Sequence, residues 1–426
     1  MNSPAAIESV RRNSAWMLGS RALRTIVAAV YFALLARSLG VNGYGAFVGA
    51  CSLAGILSPF ATIGTGNLLI QEVARDRSAF ALRWANCLLL TILSGALFTA
   101  IATAVARGVL PHSVPTRLVL MITLSELLFA RLLDVSGMAF QAIEQLRMTA
   151  WFSLGLSLCR MLAATGLLLL FQHPTPTDWS ALYLVSTAVP AGFALWNVSR
   201  RIGKPSLRPS ICGREILHGL YFAVSQAAQT IYNDIDKTML ARIAGLGPAG
   251  IYSAAYRLVD AAFSPVSAVL AATYAKFFQH GAQGIERAAG FGKRVLLRAV
   301  TYSIAASSAL WLAAPLVSSV LGTQFADSVP ALRMLSPLLV LRSVNCFAAD
   351  SLTGAGHQAT RTGLQVFVAA LNIGLNLVVL PRYSWRGAVY TSLACDGALA
   401  LLLWTAVWIL CARQRQAAFS PQPVQA

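Results

Sequence analysis

The stretch from Trp84 to Ala106, WANCLLLTILSGALFTAIATAVA, contains no aspartate, glutamate, lysine or arginine. An α-helix needs about 20 predominantly apolar residues to cross the hydrocarbon core of a bilayer. Comparable runs recur along the whole sequence of 426 residues, which is 57% hydrophobic and only 11% charged. Soluble domains carry about a quarter charged residues. The chain is therefore expected to bury its apolar side chains in lipid.

The apolar runs are rich in leucine and alanine and lack the strict alternation of a membrane β-strand. Inside lipid every backbone group needs an internal partner, so such runs form helices. The sequence predicts an all-α integral membrane protein with short connections. Twelve spans are expected, at 14–36, 43–65, 84–106, 117–140, 150–171, 179–199, 216–241, 250–275, 297–321, 330–352, 362–381 and 387–411.

The net charge of +18 has two readings, a nucleic-acid partner or an excess of basic residues in cytoplasmic segments. Nucleic-acid binding would need a basic face on a soluble module, and the sequence contains no such module. With the N-terminus in the cytoplasm, nineteen basic residues fall in cytoplasmic segments and six in outer ones. This bias indicates that both termini are cytoplasmic, and no nucleic-acid partner is expected.

Residues that carry catalytic or cofactor chemistry are scattered. The seven cysteines form no CxxC pair and the five histidines lack metal-ligand spacing. No phosphate-binding P-loop is found, since Gly290-Phe-Gly292-Lys-Arg lacks the spaced glycine and the hydroxyl residue. We expect no catalytic residues, no metal and no cofactor. The run 14–36 is too long for a signal peptide, so we expect it to remain as the first span.

An internal repeat relates the two halves of the chain. Ala36-Arg37-Ser-Leu-Gly40-Val-Asn-Gly-Tyr-Gly45-Ala-Phe47 matches Ala241-Arg242-Ile-Ala-Gly245-Leu-Gly-Pro-Ala-Gly250-Ile-Tyr252 without a gap. The copies follow spans 1 and 7, and the even number of spans between them gives both halves the same orientation. Parallel repeats of six helices are a recurrent transporter plan, with the substrate between them.

The repeat predicts four parts of the chain. The N-terminal six-helix lobe covers 1–199, a cytoplasmic connecting loop covers 200–215, and the C-terminal six-helix lobe covers 216–411. The polar tail, 412–426, is expected to be disordered in the cytoplasm.

Short motifs in both halves resemble a known family. Arg37-Ser-Leu-Gly40, Tyr44-Gly45, Ile63-Gly64 and Gln71-Glu72-Val-Ala-Arg75 are similar to the opening of polysaccharide-transporter (Wzx-type) flippases of the multidrug/oligosaccharidyl-lipid/polysaccharide (MOP) exporter superfamily. Asp236-Lys-Thr-Met-Leu240 and Gly250-Ile-Tyr252-Ser-Ala-Ala-Tyr256-Arg257 agree with it in the second half. The last four predicted spans carry no diagnostic motif.

This resemblance implies two six-helix bundles that work by alternating access in the bacterial inner membrane. It also implies a substrate, a polyprenyl-diphosphate-linked oligosaccharide moved from the cytoplasmic to the outer leaflet for surface polysaccharide biosynthesis. A polysaccharide polymerase and a chain-length regulator are the expected protein partners. The alternatives are a multidrug or other lipid exporter of the same superfamily, and a membrane-embedded polysaccharide polymerase or ligase. The short outer loops argue against the enzyme.

Charges inside the predicted spans are candidate site residues, because a charge at mid-bilayer costs about 2.5–3.5 kcal/mol on insertion scales. Arginine suits a diphosphate, which it can bind through two parallel hydrogen bonds. The candidates for the headgroup diphosphate are Arg21, Arg24, Arg160 and Arg257. Asp234 and Asp236 flank no other charge than Lys237; one is expected to pair with it, and the other is a candidate for cation coupling. Arg131 with Asp134, and Arg257 with Asp260, are spaced to pair on one helix face.

Overall fold

A computed structural model describes the backbone of residues 4–206, 223, 227, 230–232 and 234–419. Within these residues, the side chains of 4–25, 75, 146 and 417–419 are not described. The described part of the chain is helical and has no strand. The expected all-helical class is thus confirmed. Span 216–241 was expected in a region that lies largely outside the described residues, as do Asn233 and the end of the polar tail.

The first helix, α1, runs from Pro4 to Leu57 and covers two predicted spans. Its helical geometry is interrupted at Gly40, where φ is 65° and ψ is 179°. Residues with a side chain rarely adopt a positive φ, so a glycine allows the chain to bend here. The predicted boundary between spans 14–36 and 43–65 contains this break. A 3-10 turn, Ser58–Ala61, ends the second span.

Six more helices complete the first half of the chain. The fourth predicted span, 117–140, is made of two helices, α4 and α5, joined by a π-helical turn at Ser125–Phe129. The helices are α2 (Thr65–Arg75), α3 (Phe80–Val109), α4 (Thr116–Leu124), α5 (Ala130–Ala142), α6 (Leu146–Leu170) and α7 (Pro176–Arg201).

The second half continues with a helical segment at 234–243 and ends in α13, a helix of 62 residues that covers the last two predicted spans. Its geometry breaks at Ser384, where φ is 52°. The helices after residue 245 are α8 (Leu246–Gly281), α9 (Ile285–Ala313), α10 (Leu316–Leu321), α11 (Ser328–Leu335), α12 (Leu338–Gly354) and α13 (Gln358–Phe419).

Eight helical stretches of the described ranges are long and apolar enough to cross a membrane. Two of them, Ile26–Ala74 with 49 residues and Gln358–Gln416 with 59, are each long enough for two crossings, because a helix rises 1.5 Å per residue and the hydrocarbon core is about 30 Å thick. Apolar side chains also cover the outside: Leu169 is 81% exposed and Trp408 is 71% exposed. The protein is a multi-pass membrane protein.

The chain packs into two compact units. The first comprises Met1–Thr230 together with Gly245–Gly250, and the second comprises Ile231–Ala244 together with Ile251–Ala426. Each unit has its own apolar core, with Trp84 and Phe140 in the first and Leu352 and Leu403 in the second. The chain passes between units near residues 230, 244 and 250, whereas the sequence predicts the division at 200–215.

The first turn of the second repeat copy packs against the first copy, within the first unit. A Cβ atom on Gly45 would overlap the carbonyl oxygen of Leu246, and one on Gly250 would overlap that of Val41. Both pairs are related by the repeat offset of 205 residues, since 45 corresponds to 250 and 41 to 246. The repeated glycines therefore let α1 and the start of α8 cross at backbone distance in a reciprocal way.

Candidate functional site

A buried ion pair lies in the first unit between α6 and the π-helical turn. The Nη2 atom of Arg160 is 2.6 Å from Oε1 of Glu126 and 3.3 Å from the hydroxyl of Thr187. The Tyr183 hydroxyl donates a hydrogen bond to the same carboxylate oxygen. The Arg160 guanidinium also lies 4.3 Å from the centre of the Tyr183 ring. One carboxylate oxygen thus holds an arginine from α6 and a tyrosine from α7.

The π-helical turn positions Glu126. A π turn widens the helix by one residue and leaves backbone groups out of the usual ladder, which is common at functional sites. Here the backbone oxygen of Glu126 accepts a hydrogen bond from Nε of Arg131 at 3.3 Å. Nη1 of Arg131 is 2.9 Å from Oδ2 of Asp134, which confirms the predicted pairing of these two residues along one helix face.

A second cluster in the second unit contains the predicted pair of aspartates. Nζ of Lys237 is 2.5 Å from Oδ1 of Asp234, so the expected ion pair is made by Asp234. Asp236 is 3% exposed. It accepts hydrogen bonds from the Lys237 backbone N–H, at 2.7 Å, and from the Tyr252 hydroxyl. Tyr252 in turn lies 2.8 Å from the Ser392 hydroxyl.

Further charged groups of the second unit lie on α8, α12 and α13. Nη1 of Arg342 is 2.6 Å from Oδ1 of Asp260, and its Nη2 donates to the Tyr256 hydroxyl. Asp260 thus takes an arginine from α12, in addition to the local neighbour that its spacing suggests. The side chain of Asn345 donates to Oδ1 of Asp396 at 2.9 Å.

The repeat shows that the aspartate cluster is specific to the second half. At the offset of 205 residues, Asp236 corresponds to Tyr31 and Tyr252 to Phe47. In the first unit these two aromatic rings both pack against Trp179, at centroid distances of 5.8 and 5.9 Å. An aromatic contact in one half is thus replaced by a buried carboxylate with a hydroxyl donor in the other.

The predicted arginines have different surroundings. Arg160 belongs to the first unit and is paired with Glu126, a partner from another helix. Arg257 is half-buried on α8 in the second unit. Arg21 and Arg24 lie on α1, but their side chains are outside the described part. The structure therefore supplies contacts for one of the four proposed diphosphate ligands.

Sequence reasoning did not identify Glu126, Tyr183, Tyr252 or Ser392 as members of these clusters. Glu126 gave a signal as an acid within an apolar run. The hydroxyl residues gave none, because tyrosine and serine are common in membrane helices and their partners are distant in sequence. Within the described residues, no group of three or more His, Cys, Asp or Glu side chains is placed to hold a metal ion.

The fold is that of a membrane transporter of the MOP superfamily. A multidrug resistance MATE family transporter in an inward-facing conformation is similar with a TM-score of 0.74 and 17% identity, over 91% of this chain and 96% of that one. The lipid II flippase MurJ in an inward closed conformation has a TM-score of 0.70 and 14% identity, covering 92% and 87%. A MOP superfamily transporter from Pyrococcus furiosus has a TM-score of 0.60, 16% identity and coverage of 92% and 96%.

The family is given by the sequence. The model of the polysaccharide biosynthesis protein family matches residues 10–280, which is more than half of the chain. The protein belongs to this family, and the resemblance found from the short motifs is confirmed at that level. No curated protein matches the chain by sequence.

Proposed function

We propose that the protein is a flippase that moves polyprenyl-diphosphate-linked oligosaccharide repeat units from the cytoplasmic to the outer leaflet of the bacterial inner membrane. The observation that carries the proposal is the polysaccharide biosynthesis family match over residues 10–280 on a MOP transporter fold. A lipid II flippase has a similar fold. Lipid II flipping is a property of that protein, and it supports a lipid-linked cargo for this one.

The physical need for such a protein follows from the cost of desolvation. A hydroxyl or amide group loses several kcal/mol on transfer to hydrocarbon without a partner, and an ionised group loses far more. A sugar-diphosphate headgroup therefore does not cross the bilayer unaided, while its polyprenyl tail remains in lipid. Alternating access lets the headgroup pass through a polar path. The proposed partners are a polysaccharide polymerase and a chain-length regulator, which would use the product on the outer side.

Arginines supply the headgroup site in this proposal. A guanidinium stays charged and can donate two parallel hydrogen bonds to phosphate oxygens. Arg160 fits this role because it is a half-buried cation inside an apolar span. Arg21, Arg24 and Arg257 complete the proposed set. The protein would thus bind its substrate by charge and release it without covalent chemistry, as a transporter and not an enzyme.

Cation coupling is assigned to the second unit. Asp234 is neutralised by Lys237. Asp236 accepts only hydrogen bonds from Lys237 N–H and Tyr252 among the contacts described. A buried carboxylate held by neutral donors is suited to exchange a proton or a sodium ion, so Asp236 is the coupling residue in this proposal.

The test is the sidedness of the lipid-linked oligosaccharide pool in cells depleted of the protein. We expect repeat units to accumulate on the cytoplasmic leaflet and the wild-type gene to clear them. Arg160→Gln should clear them slowly, whereas Arg386→Gln, which removes an exposed arginine next to Trp385, should act like wild type.

Two other results would each favour an alternative. Repeat units that reach the outer leaflet normally but stay unpolymerised would indicate a polymerase or ligase. A normal lipid-linked pool together with altered efflux of a lipophilic cation would indicate an exporter like the MATE transporters of similar fold.

A further inference from the structure

The Arg160 guanidinium is only partly used by its partners. Its Nη2 atom contacts both Glu126 and Thr187, while its Nε atom is buried and has no hydrogen-bond partner among the described residues. The side chain as a whole is 20% exposed. A buried donor without a partner costs about 1–3 kcal/mol. The site thus lacks a second acceptor on the Nε side of the guanidinium.

A carboxylate and a phosphate compete for the same donors of an arginine. Both present oxygens that accept two parallel hydrogen bonds from Nε and Nη. Glu126 takes only one Nη atom of Arg160, so its grip is less complete than that of a bidentate anion.

We propose that Glu126 is an internal ligand of Arg160, which occupies the guanidinium until a diphosphate group displaces it. This inference rests on the proposed function, because it names the competitor at the headgroup site.

The surroundings allow Glu126 to leave without stranding its partners. The groups that face this pair are Tyr31 and Cys51 from α1, Arg131 and Asp134 from α5, and Tyr183 from α7. Arg131 lies near Glu126 and is already bound to Asp134. Because Glu126 sits on a π-helical turn, a one-residue shift of that turn to α-helical geometry would rotate its carboxylate away from Arg160.

The competing anion is defined by its chemistry, a diphosphate, and it could come from a lipid headgroup or from soluble pyrophosphate. The experiment separates these sources. Binding of farnesyl diphosphate, inorganic pyrophosphate and farnesol to the purified full-length protein in detergent is measured by calorimetry. We expect farnesyl diphosphate to bind, and farnesol to bind far more weakly. Pyrophosphate that binds as tightly as farnesyl diphosphate would assign the site to a soluble anion.

Glu126→Gln removes the competing charge and keeps the shape of the side chain. We expect it to bind farnesyl diphosphate about tenfold more tightly than wild type, since a charge-assisted hydrogen bond is worth about 1.5 kcal/mol or more and about 1.4 kcal/mol is tenfold in affinity. Arg160→Gln should lose the binding. Tyr183→Phe, which removes only the hydroxyl that holds Glu126, should tighten binding in the same direction and serves if Glu126→Gln does not fold.

The matched control is Asp350→Asn, which removes another buried carboxylate near an arginine, Arg361, at 3.7 Å in the second unit. Its affinity should equal that of wild type. Unchanged or weaker binding in both Glu126→Gln and Tyr183→Phe would overturn the inference, as would equal tightening in Asp350→Asn.

These outcomes are independent of the flipping test. Tighter diphosphate binding in Glu126→Gln from a protein that does not move repeat units would keep the site and refute the function. Normal flipping by wild type with no effect of Glu126→Gln on binding would do the reverse.

Discussion

Asp236 is the residue on which the proposed coupling depends. It is 3% exposed and hydrogen-bonded to Tyr252. Removing its charge with Asp236→Asn keeps the size of the side chain but abolishes exchange of a proton or a sodium ion. We expect transport of a lipid-linked oligosaccharide by reconstituted protein to lose its response to an imposed pH or sodium gradient, while slow downhill exchange continues.

The control for this prediction is Glu286→Gln, which removes an exposed acid paired with Arg415. Its gradient response should match wild type. An Asp236→Asn protein that still responds fully to both gradients would remove Asp236 from the coupling site.

Tyr252 supports the same carboxylate. Its hydroxyl is buried between Asp236 and Ser392, so Tyr252→Phe would leave Asp236 without its side-chain donor. A buried acceptor that loses its partner costs about 1–3 kcal/mol. We expect a lower thermal midpoint of the detergent-solubilised protein. Tyr274→Phe, at a 43% exposed tyrosine of the same helix, should leave the midpoint unchanged; an equal drop in both variants would contradict the assignment.

The helix crossing of α1 with the start of α8 tests the packing of whole elements. Gly45→Ala or Gly250→Ala would place a methyl group against a backbone carbonyl, of Leu246 and Val41 respectively. Backbone cannot move aside as a flexible side chain can. Overpacking of this kind costs about 1–3 kcal/mol, so we expect both variants to lower the thermal midpoint by similar amounts, as their reciprocal geometry requires.

Gly155→Ala is the matched control at this scale, because nothing lies within 4 Å of a Cβ atom there. Alanine is the better helix former by about 1 kcal/mol, so this variant should be as stable as wild type or more so. If all three glycines tolerate alanine equally, the crossing does not depend on the absence of side chains.

Elements were predictable from sequence where a local pattern specifies them. The run 84–106 lies within α3, and 179–199 lies within α7, because hydropathy over 20 residues measures the same burial that lipid provides. The break at Gly40 falls between two predicted spans for the same reason. The π-helical turn inside 117–140 was not predictable, since Ser125–Phe129 contains neither proline nor glycine, and its geometry depends on Arg131 and on neighbouring helices.

At the scale of the whole molecule, the orientation in the membrane is still a prediction from the basic residues. Single cysteines at Ser113, which is exposed in an outer loop, and Ala282, which is exposed in a cytoplasmic one, would test it. A membrane-impermeant maleimide applied to intact inner-membrane spheroplasts should label Ser113→Cys. It should label Ala282→Cys only after permeabilisation.

The native background in this measurement should be low, because the six cysteines in the described residues are buried or half-buried. A variant without native cysteines provides the control. Labelling of Ala282→Cys in intact spheroplasts would reverse the orientation and with it the proposed direction of transport.

The sequence by itself determined the class of this protein. Its apolar runs, its repeated Gly45 and Gly250 and its family motifs are local patterns, and each is read within a few tens of residues. Tertiary structure alone decided which side chains meet. Arg160 finds Glu126 across 34 positions, and Tyr252 finds Ser392 across 140. Such partners lie on different helices and follow no period along the chain, because side-chain pairing inside a bundle depends on the rotation and depth of each packed helix.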